Sequence, residues 1–573
     1  MTTENSDNVV DLREKSEQRA KEEAEKLDAQ EAEKKSGTGG PDDPRFVREC
    51  FKHNEVGDGT LYASLHDGKF LFNKIQGKWY AWAGHHWIKD IMGTSVDAVE
   101  AVALKYEFAA DSISPEIADA TEKRNEAEER AKDCEAAEDE EGKRAAEAEK
   151  AKYQGRINRL TGERNSLRKR VNQLRGKTRA EKCLWWAHHG PARIAIKGDE
   201  FDQKPMLLPC PNGVIDLETG ALRDGEPKDL LLRAIPIPYD PSAQAPTWKK
   251  FLLDIHQGNE DVTNFVRRLL GYCLTGLTVE QFIAVFIGEG ANGKGTLFEL
   301  MHHILGELAW SINPELILEQ KAQRSSAGPS PDIISLYGRR LAIASETDEN
   351  RKIGAAAVKR FTGEDTLTGR SPFDKDDTNF EPTHKMVLIT NEAPIGLTKD
   401  FALYRRLVYL EYQLRYVDDV DAMKRSDPQN AHLYRQKDPA LPAKLRKEAP
   451  GILADLVKAC LEYQKIGGLK PPPCLLAAKE EHRRKEDHLQ RYIEEVCTRV
   501  PEDEDNKIIL GVFHDRYIDW YKREVSSKER YWPSKIMLGK DLVKKGYRKE
   551  TKGGQTWLYG LKPPVPPDKP WLD

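Results

Sequence analysis

Apolar and polar positions divide the chain into segments of different character. Residues 1–42 are Glu/Lys/Ala-rich, carry almost no large apolar side chain and end in the breaker run Ser36-GTGGPDDP. Such a stretch cannot bury enough surface to offset its ordering entropy, and a solvated tail is expected. From 43 to 113 the composition turns globular. Gly68-KFLFN and Gly77-KWYAWAGHHW predict short aromatic strands divided by glycine turns, a small α+β module. The cluster His85, His86 and Trp87 reads as part of its packing, because no second pair of ligands stands at metal spacing.

Residues 114–180 are again highly charged. Tyr153, Ile157, Leu160, Arg164, Leu167, Val171 and Leu174 recur at alternating spacings of four and three, a heptad stripe broken by one arginine and weakened by Gly155 and Gly162. N-terminal to it, only alanine is available to form a seam. An antiparallel helical hairpin and a subunit contact both fit the pattern, and the short, imperfect seam favours the hairpin.

Residues 181–279 form a further segment. Asn212-Gly213 and Thr219-Gly220 bracket a short strand at Val214-IDL, and Trp248 to Leu274 has helical apolar spacing. An α/β core follows at 280–415, then a helical stretch and linker at 416–486, a basic module at 487–562 and a proline-rich tail at 563–573.

Within that core, the apolar strand Phe282-IAVFI runs straight into Gly288-EGANGKGT, and Leu297-FELMHHIL resumes with helical spacing. Strand, glycine loop and helix are the context of a phosphate-binding loop. Its amides surround phosphates at a helix N-terminus and a lysine reaches the β/γ oxygens. Gly288, Glu289, Gly290, Ala291, Asn292, Gly293, Lys294, Gly295 and Thr296 are therefore the candidate ATP-binding residues. The hydroxyl that usually follows the lysine is displaced by one place, from Gly295 to Thr296.

A second apolar strand, Arg340-LAIAS, ends at Glu346, with Asp348 and Glu349 just beyond. A carboxylate there can hold Mg²⁺ or orient water. Thr296, Glu346 and Asp348 are the candidate metal ligands. A third strand, Lys385-MVLIT, ends at Asn391, placed to sense a γ-phosphate. Arg405 and Arg406 open another apolar run and suit transferred-phosphoryl charge, often on a neighbouring subunit. Between acid and asparagine, a hairpin around Ser371-PFDKDD offers Arg370, Phe373 and Lys375, a mix of charge and aromatic able to track a phosphate backbone.

The ordered set GEGANGKGT, RRLAIASETDE, KRFTGEDTLTGR, KMVLITNEAP and DFALYRRL resembles superfamily 3 helicases, in particular the phage/plasmid primase-helicase group related to the poxvirus primase-helicase. The likeness covers about 200–415 well, and its flanks more loosely. It implies an AAA+-like P-loop ATPase core, usually in a homo-hexameric ring, that uses ATP and Mg²⁺ to translocate on single-stranded or forked DNA. By the same resemblance Lys294 is the Walker A lysine, Glu346 the Walker B acid and Asn391 the sensor. Arg405 or Arg406 is the arginine finger, and the Lys375 hairpin faces DNA. No zinc ribbon or convincing polymerising carboxylate pair precedes residue 200, so the reading is a helicase without primase, served by a separate primase or polymerase.

Composition changes the picture in two places. The 573 residues carry 90 Lys+Arg against 95 Asp+Glu, a net −5, so any nucleic-acid surface must be local. Asn506 to Lys562 alone holds 14 Lys/Arg and 6 Asp/Glu, a net +8. Two amphipathic helices and a hairpin there predict a winged-helix-like DNA-binding domain, with Lys535, Lys540, Lys544 and Lys545 as candidate contacts. Eight scattered cysteines without a CxxC, a polar start and no 18-residue apolar run point to a soluble cytoplasmic protein with no membrane partner. Two other functions fit the same residues: an ATP-switched initiator that melts origin DNA without processive unwinding, and a DNA-binding scaffold whose loop has lost activity at Gly295.

Overall fold

The computed structural model describes residues 40–319, 329–346, 352–363, 365–370, 377–394, 401–525 and 532–563, with backbone alone for Glu346, Phe401 and Glu486. The chain divides into two compact units, the first comprising 1–203 with 226–232 and the second the remainder. The expected segment 181–279 is therefore not one body. Residues 181–203 and 226–232 belong to the first unit and the rest to the second, because long-range packing rather than chain continuity sets the division.

In the first unit, helices Pro44–Lys52, Asn54–His66, Val99–Asp111 and Lys177–His189 surround a core that includes Tyr62, Val102, Tyr106 and Cys183. Strands Trp87–Lys89, Lys78–Trp82 and Phe70–Asn73 pair antiparallel, and Ala195–Ile196 adds to Phe70–Asn73 in parallel. Gly59 sits where a Cβ would lie 2.5 Å from the Trp186 Cβ, so helices Asn54–His66 and Lys177–His189 approach almost backbone to backbone. Between them Asp58 is wholly buried. It accepts from Arg170 and Arg179, each at 2.7 Å, and from the Tyr106 hydroxyl at 2.9 Å. Trp87 is buried and its indole donates to the Pro227 carbonyl (2.9 Å), so the His85–Trp87 stretch is built into packing. Among the described residues no three His, Cys, Asp or Glu side chains cluster as metal ligands would.

The charged segment forms two helices, Ser114–Ala136 and Glu140–Leu174. Ion pairs 119–156, 128–150, 130–149 and 135–143 descend on one helix as they climb the other, which makes the hairpin antiparallel. The heptad stripe faces inward. Leu160, Leu167, Val171 and Leu174 are buried and Arg164 is half-buried. Farther out the seam is Ala120, Ala127 and Ala146, and the exposed ion pairs there add only about 0–1 kcal/mol each.

The second unit is built on a five-stranded, all-parallel sheet: β1 Ile283–Ile287, β2 Ala309–Ile312, β3 Leu341–Glu346, β4 Lys385–Thr390 and β5 Leu407–Glu411, in the order β5-β1-β4-β3-β2. Every residue of β1 is buried, as expected of a strand covered on both faces. On one face Phe286, Val387 and Leu410 meet α1 (Lys294–Leu305) and helices Pro246–Ile255, Glu260–Tyr272 and Ala449–Ile466. On the other, Val285, Leu388 and Tyr409 meet Val358 and Phe361 of helix Ala355–Thr362. Helix Pro473–Glu486 leads into the C-terminal module. There, helices His488–Glu495, Leu510–Glu524 and Lys535–Lys544 share a core with a three-stranded antiparallel sheet, Lys507–Ile509, Gln555–Tyr559 and Lys549–Lys552. Among the described residues no helix is long and apolar enough to cross a membrane.

Candidate functional site

Sheet register brings the strand-end residues together. Glu411, Ile287, Thr390 and Glu346 are successive Cα partners across β5, β1, β4 and β3, forming one row at the C-terminal edge of the sheet. The glycine loop starts one residue beyond this row, where the Gly288 amide donates to the Thr390 carbonyl at 3.1 Å. Asn391 is the next residue of β4 and is exposed, one strand from the loop. Glu346 lies two strands away, roughly 10 Å at the ordinary interstrand spacing. Its side chain and all of Asp348 lie outside the described residues.

The loop turns through left-handed backbone at Gly290 (φ 96°), Ala291 (φ 47°) and Gly293 (φ 91°). At Gly293 a side chain is excluded twice, by φ and because a Cβ would lie 2.5 Å from the Ile255 Cγ2. Among the described residues, nothing accepts from the amides of Ala291, Asn292 and Gly293, nor from those of Gly295 and Thr296 in the first turn of α1. Five unspent N–H groups at a helix N-terminus form an anion cradle. Lys294 is buried, and its amine donates to the Gly288 carbonyl across the loop (2.5 Å). Burial pushes that amine down to about 8. Thr296 is half-buried and Gly295 exposed, with open space where a Cβ would stand.

The low amine has a signed consequence. An anion in the cradle would raise the Lys294 pKa, so binding takes up a proton wherever the free site has lost one. The Lys294 contribution to affinity for a phosphate-bearing anion is expected to fall as pH rises above about 8. Calorimetric titration in buffers of differing ionisation enthalpy measures both the slope and the proton uptake.

The two arginines occupy the other edge of the sheet. Helix Phe401–Arg406 ends where β5 begins, and Leu407 pairs with Ile283, the first residue of β1. Five residues of strand separate that row from the loop, about 16 Å. Neither arginine reaches the loop of its own chain. Arg406 is held by Gln281 (2.9 Å), whereas Arg405 is exposed. Arg370 follows strand Leu367–Gly369, which pairs with Thr378–Phe380; Phe373 and Lys375 lie outside the described residues. In the C-terminal module Lys535, Lys540 and Lys544 are exposed, but Lys545 is tied to Asp487 at 2.5 Å.

The sequence profile of the family described as "D5 N terminal like" matches residues 59–257. L207/L206 of Acanthamoeba polyphaga mimivirus, named as a candidate helicase, is 30% identical over 57% of this chain and 34% of its own length. C962R of African swine fever virus, named as a candidate primase, is 24% identical over 57% of this chain and 34% of its own. The chain is thus similar to proteins named as candidate helicases and primases of DNA viruses. It spans about a third of the length of these relatives. Among solved structures, the apo A form of the NrS-1 C-terminal region is a distant likeness, with 13% identity, a TM-score of 0.38 and coverage of 69% of this chain and 89% of that one. The profile match stops at Gln257, two residues past the Ile255 that packs under Gly293, so it covers the support of the loop and not the loop.

Sequence reasoning missed the segment after β5, which holds the loop in shape. The Tyr412 carbonyl accepts from the Asn292 side chain (3.3 Å), and the Tyr416 amide donates to the Ala291 carbonyl (2.7 Å). Tyr412 is itself fixed by His256, at 2.8 Å from its hydroxyl, and by stacking on Phe286. Arg415 pairs with Glu289 at the loop rim. Nothing local marks these residues, because their partners lie more than a hundred positions away. A perturbed amine alone would have misled as well. Lys385, at the opposite end of β4, is pushed down to about 7 by burial, yet it serves the Thr275 and Thr383 carbonyls as a structural pin.

Proposed function

We propose that this chain is an ATP-dependent DNA helicase of superfamily 3, acting in replication of a phage, plasmid, virus or integrated element. The observation that carries the reading is the cradle of unspent amides closed by the buried Lys294, beyond the end of β1, with Asn391 following the adjacent strand β4 and Glu346 ending β3, one strand farther out. ATP would be the substrate, with its phosphates on the amides of residues 291–296 and the Lys294 amine. Thr296 and Glu346 would hold Mg²⁺, which supplies charge neutralisation at the phosphates. Asn391 would orient water from one strand away.

Because Arg405 sits at the edge of the sheet remote from its own loop, its guanidinium would complete the site of a neighbouring subunit in a ring, the expected hexamer. Arg405 is the better finger, since it is exposed whereas Arg406 is half-buried. The Arg370 hairpin would contact single-stranded DNA, and the C-terminal module, winged-helix-like in its helix, helix and hairpin, would hold duplex through Lys535, Lys540 and Lys544.

ATP-driven displacement of a labelled strand from forked duplex DNA tests the reading. Wild type is expected to unwind. Arg405→Ala is expected to lose turnover by about 10³-fold, while Arg406→Ala loses far less. An equimolar mixture of inactive Arg405→Ala and Lys294→Ala chains should regain activity, because some shared sites then carry both groups. Hydrolysis and DNA binding without displacement would instead establish the origin-melting initiator. The observation favouring that second reading is the helix Lys535–Lys544, whose exposed face carries Ile536 and Val543 beside Lys540 and Lys544, the apolar and cationic groups a recognition helix offers to a duplex groove.

A further inference from the structure

In the first unit, exposed aromatic and cationic side chains gather at a place the proposed ATPase does not use. Trp185, on helix Lys177–His189, is 49% exposed. Its indole stacks on His189 one turn later (4.1 Å, 23°) and meets Trp186 edge-on at 4.8 Å. His189 lies 4.2 Å from His188, and the His188 ring lies flat on Phe72 (3.7 Å, 10°) with Trp79 edge-on at 5.7 Å. A continuous run of rings thus leads from the Phe70–Asn73/Lys78–Trp82 strand pair out to solvent, ending in the half-open indole.

Cations border the run. The Lys74 amine is 3.0 Å from the His188 Nδ1, and burial, followed by Lys74 and His189, pushes His188 down to about 4. The inner histidine is therefore neutral at physiological pH, and the positive charge sits on Lys74 and Arg193. The turn at Gly190 returns the chain so that Ile194 donates to the Ala187 carbonyl and Ala195 pairs beside Phe72, which brings the exposed Arg193 next to Lys74. Glu181, one turn before Trp185, is already matched by Lys177 at 3.8 Å.

An exposed indole backed by stacked rings and edged by two cations matches unpaired bases, whose faces are open and whose phosphates lie alongside. Duplex DNA hides those faces. We propose that Trp185 and His189 form a stacking site for a base of single-stranded nucleic acid, with Lys74 and Arg193 taking the adjoining phosphates. The site needs no nucleotide and is independent of the ATPase reading.

The test uses the full chain and a fluorescein-labelled oligo-dT in the absence of ATP, followed by anisotropy. Trp185→Ala is expected to weaken binding about tenfold and Trp185→Phe to retain most of it. Replacing both Lys74 and Arg193 with Gln should lower the salt slope by about 1.4. With bromodeoxyuridine in the oligonucleotide, the photocrosslinked peptide is expected to contain residues 183–193. Unchanged affinity in Trp185→Ala together with crosslinks only elsewhere would overturn the site. So would a fall in sedimenting mass of Trp185→Ala without loss of oligo-dT binding, which would make the patch a protein contact.

Discussion

Lys294→Ala is expected to yield a folded chain that neither hydrolyses ATP nor displaces a strand. The physical case has two parts. The amine is buried and makes one hydrogen bond, to the loop's own Gly288 carbonyl. Its removal relieves a desolvated charge, so the melting temperature should hold or rise slightly. That charge also closes the cradle, and a charge lost from a water-poor phosphate site costs about 3–4 kcal/mol of transition-state stabilisation, or 10²–10³ in turnover. Phosphate release and strand displacement, measured beside thermal melting, separate the effects. Full turnover in Lys294→Ala would remove Lys294 from the hydrolytic site. Turnover absent from wild type as well would point to the scaffold, with Gly295 as the lesion.

Asp58→Ala is expected to destabilise the first unit by about 3–5 kcal/mol, because removing one partner of a buried ionic cluster strands the others. Arg170 is almost wholly buried and Arg179 mostly so, and both guanidinium groups point at this carboxylate, with the Tyr106 hydroxyl completing the set. These four side chains come from four helices, so the loss should loosen the whole helical core. Urea unfolding followed by near-UV circular dichroism should show an early transition of the first unit, separate from that of the second. A loss below ~1 kcal/mol would mean water reaches the cluster and supports the arginines.

What the sequence disclosed and what it hid follow the range of the interactions. Strand, glycine loop and helix at 282–305 were legible because each is local: an apolar run, left-handed turns and helical spacing. The hairpin at 114–174 was legible because its inward stripe is periodic, even with Arg164 and two glycines interrupting it. Asn391 was expected between loop and acid, and sheet order puts β4 between β1 and β3. Asp58 carried no mark in the sequence, since its partners at 106, 170 and 179 show no periodic signal. Tyr412 and Tyr416 carried no mark either, although their backbones define the loop's shape. The division of 181–279 between two bodies was hidden for the same reason. Phe373, Lys375 and Asp348 lie outside the described residues, and their roles stand as the sequence proposed them.

The strand order also sets when the site can come into being. β1 pairs with β4 and β5 and with no strand made in between, so the centre of the sheet closes only after a long stretch of chain has followed it. The Tyr412 carbonyl that braces Asn292 lies 120 residues downstream of it. Closure of so long a loop precedes any gain from the contact, which makes such pairing slow. During synthesis the helical hairpin can collapse as soon as it emerges, while β1, wholly apolar, must wait unpaired. The interval between translation of Ile283 and of Glu411 is therefore the period in which this chain most needs shielding from aggregation.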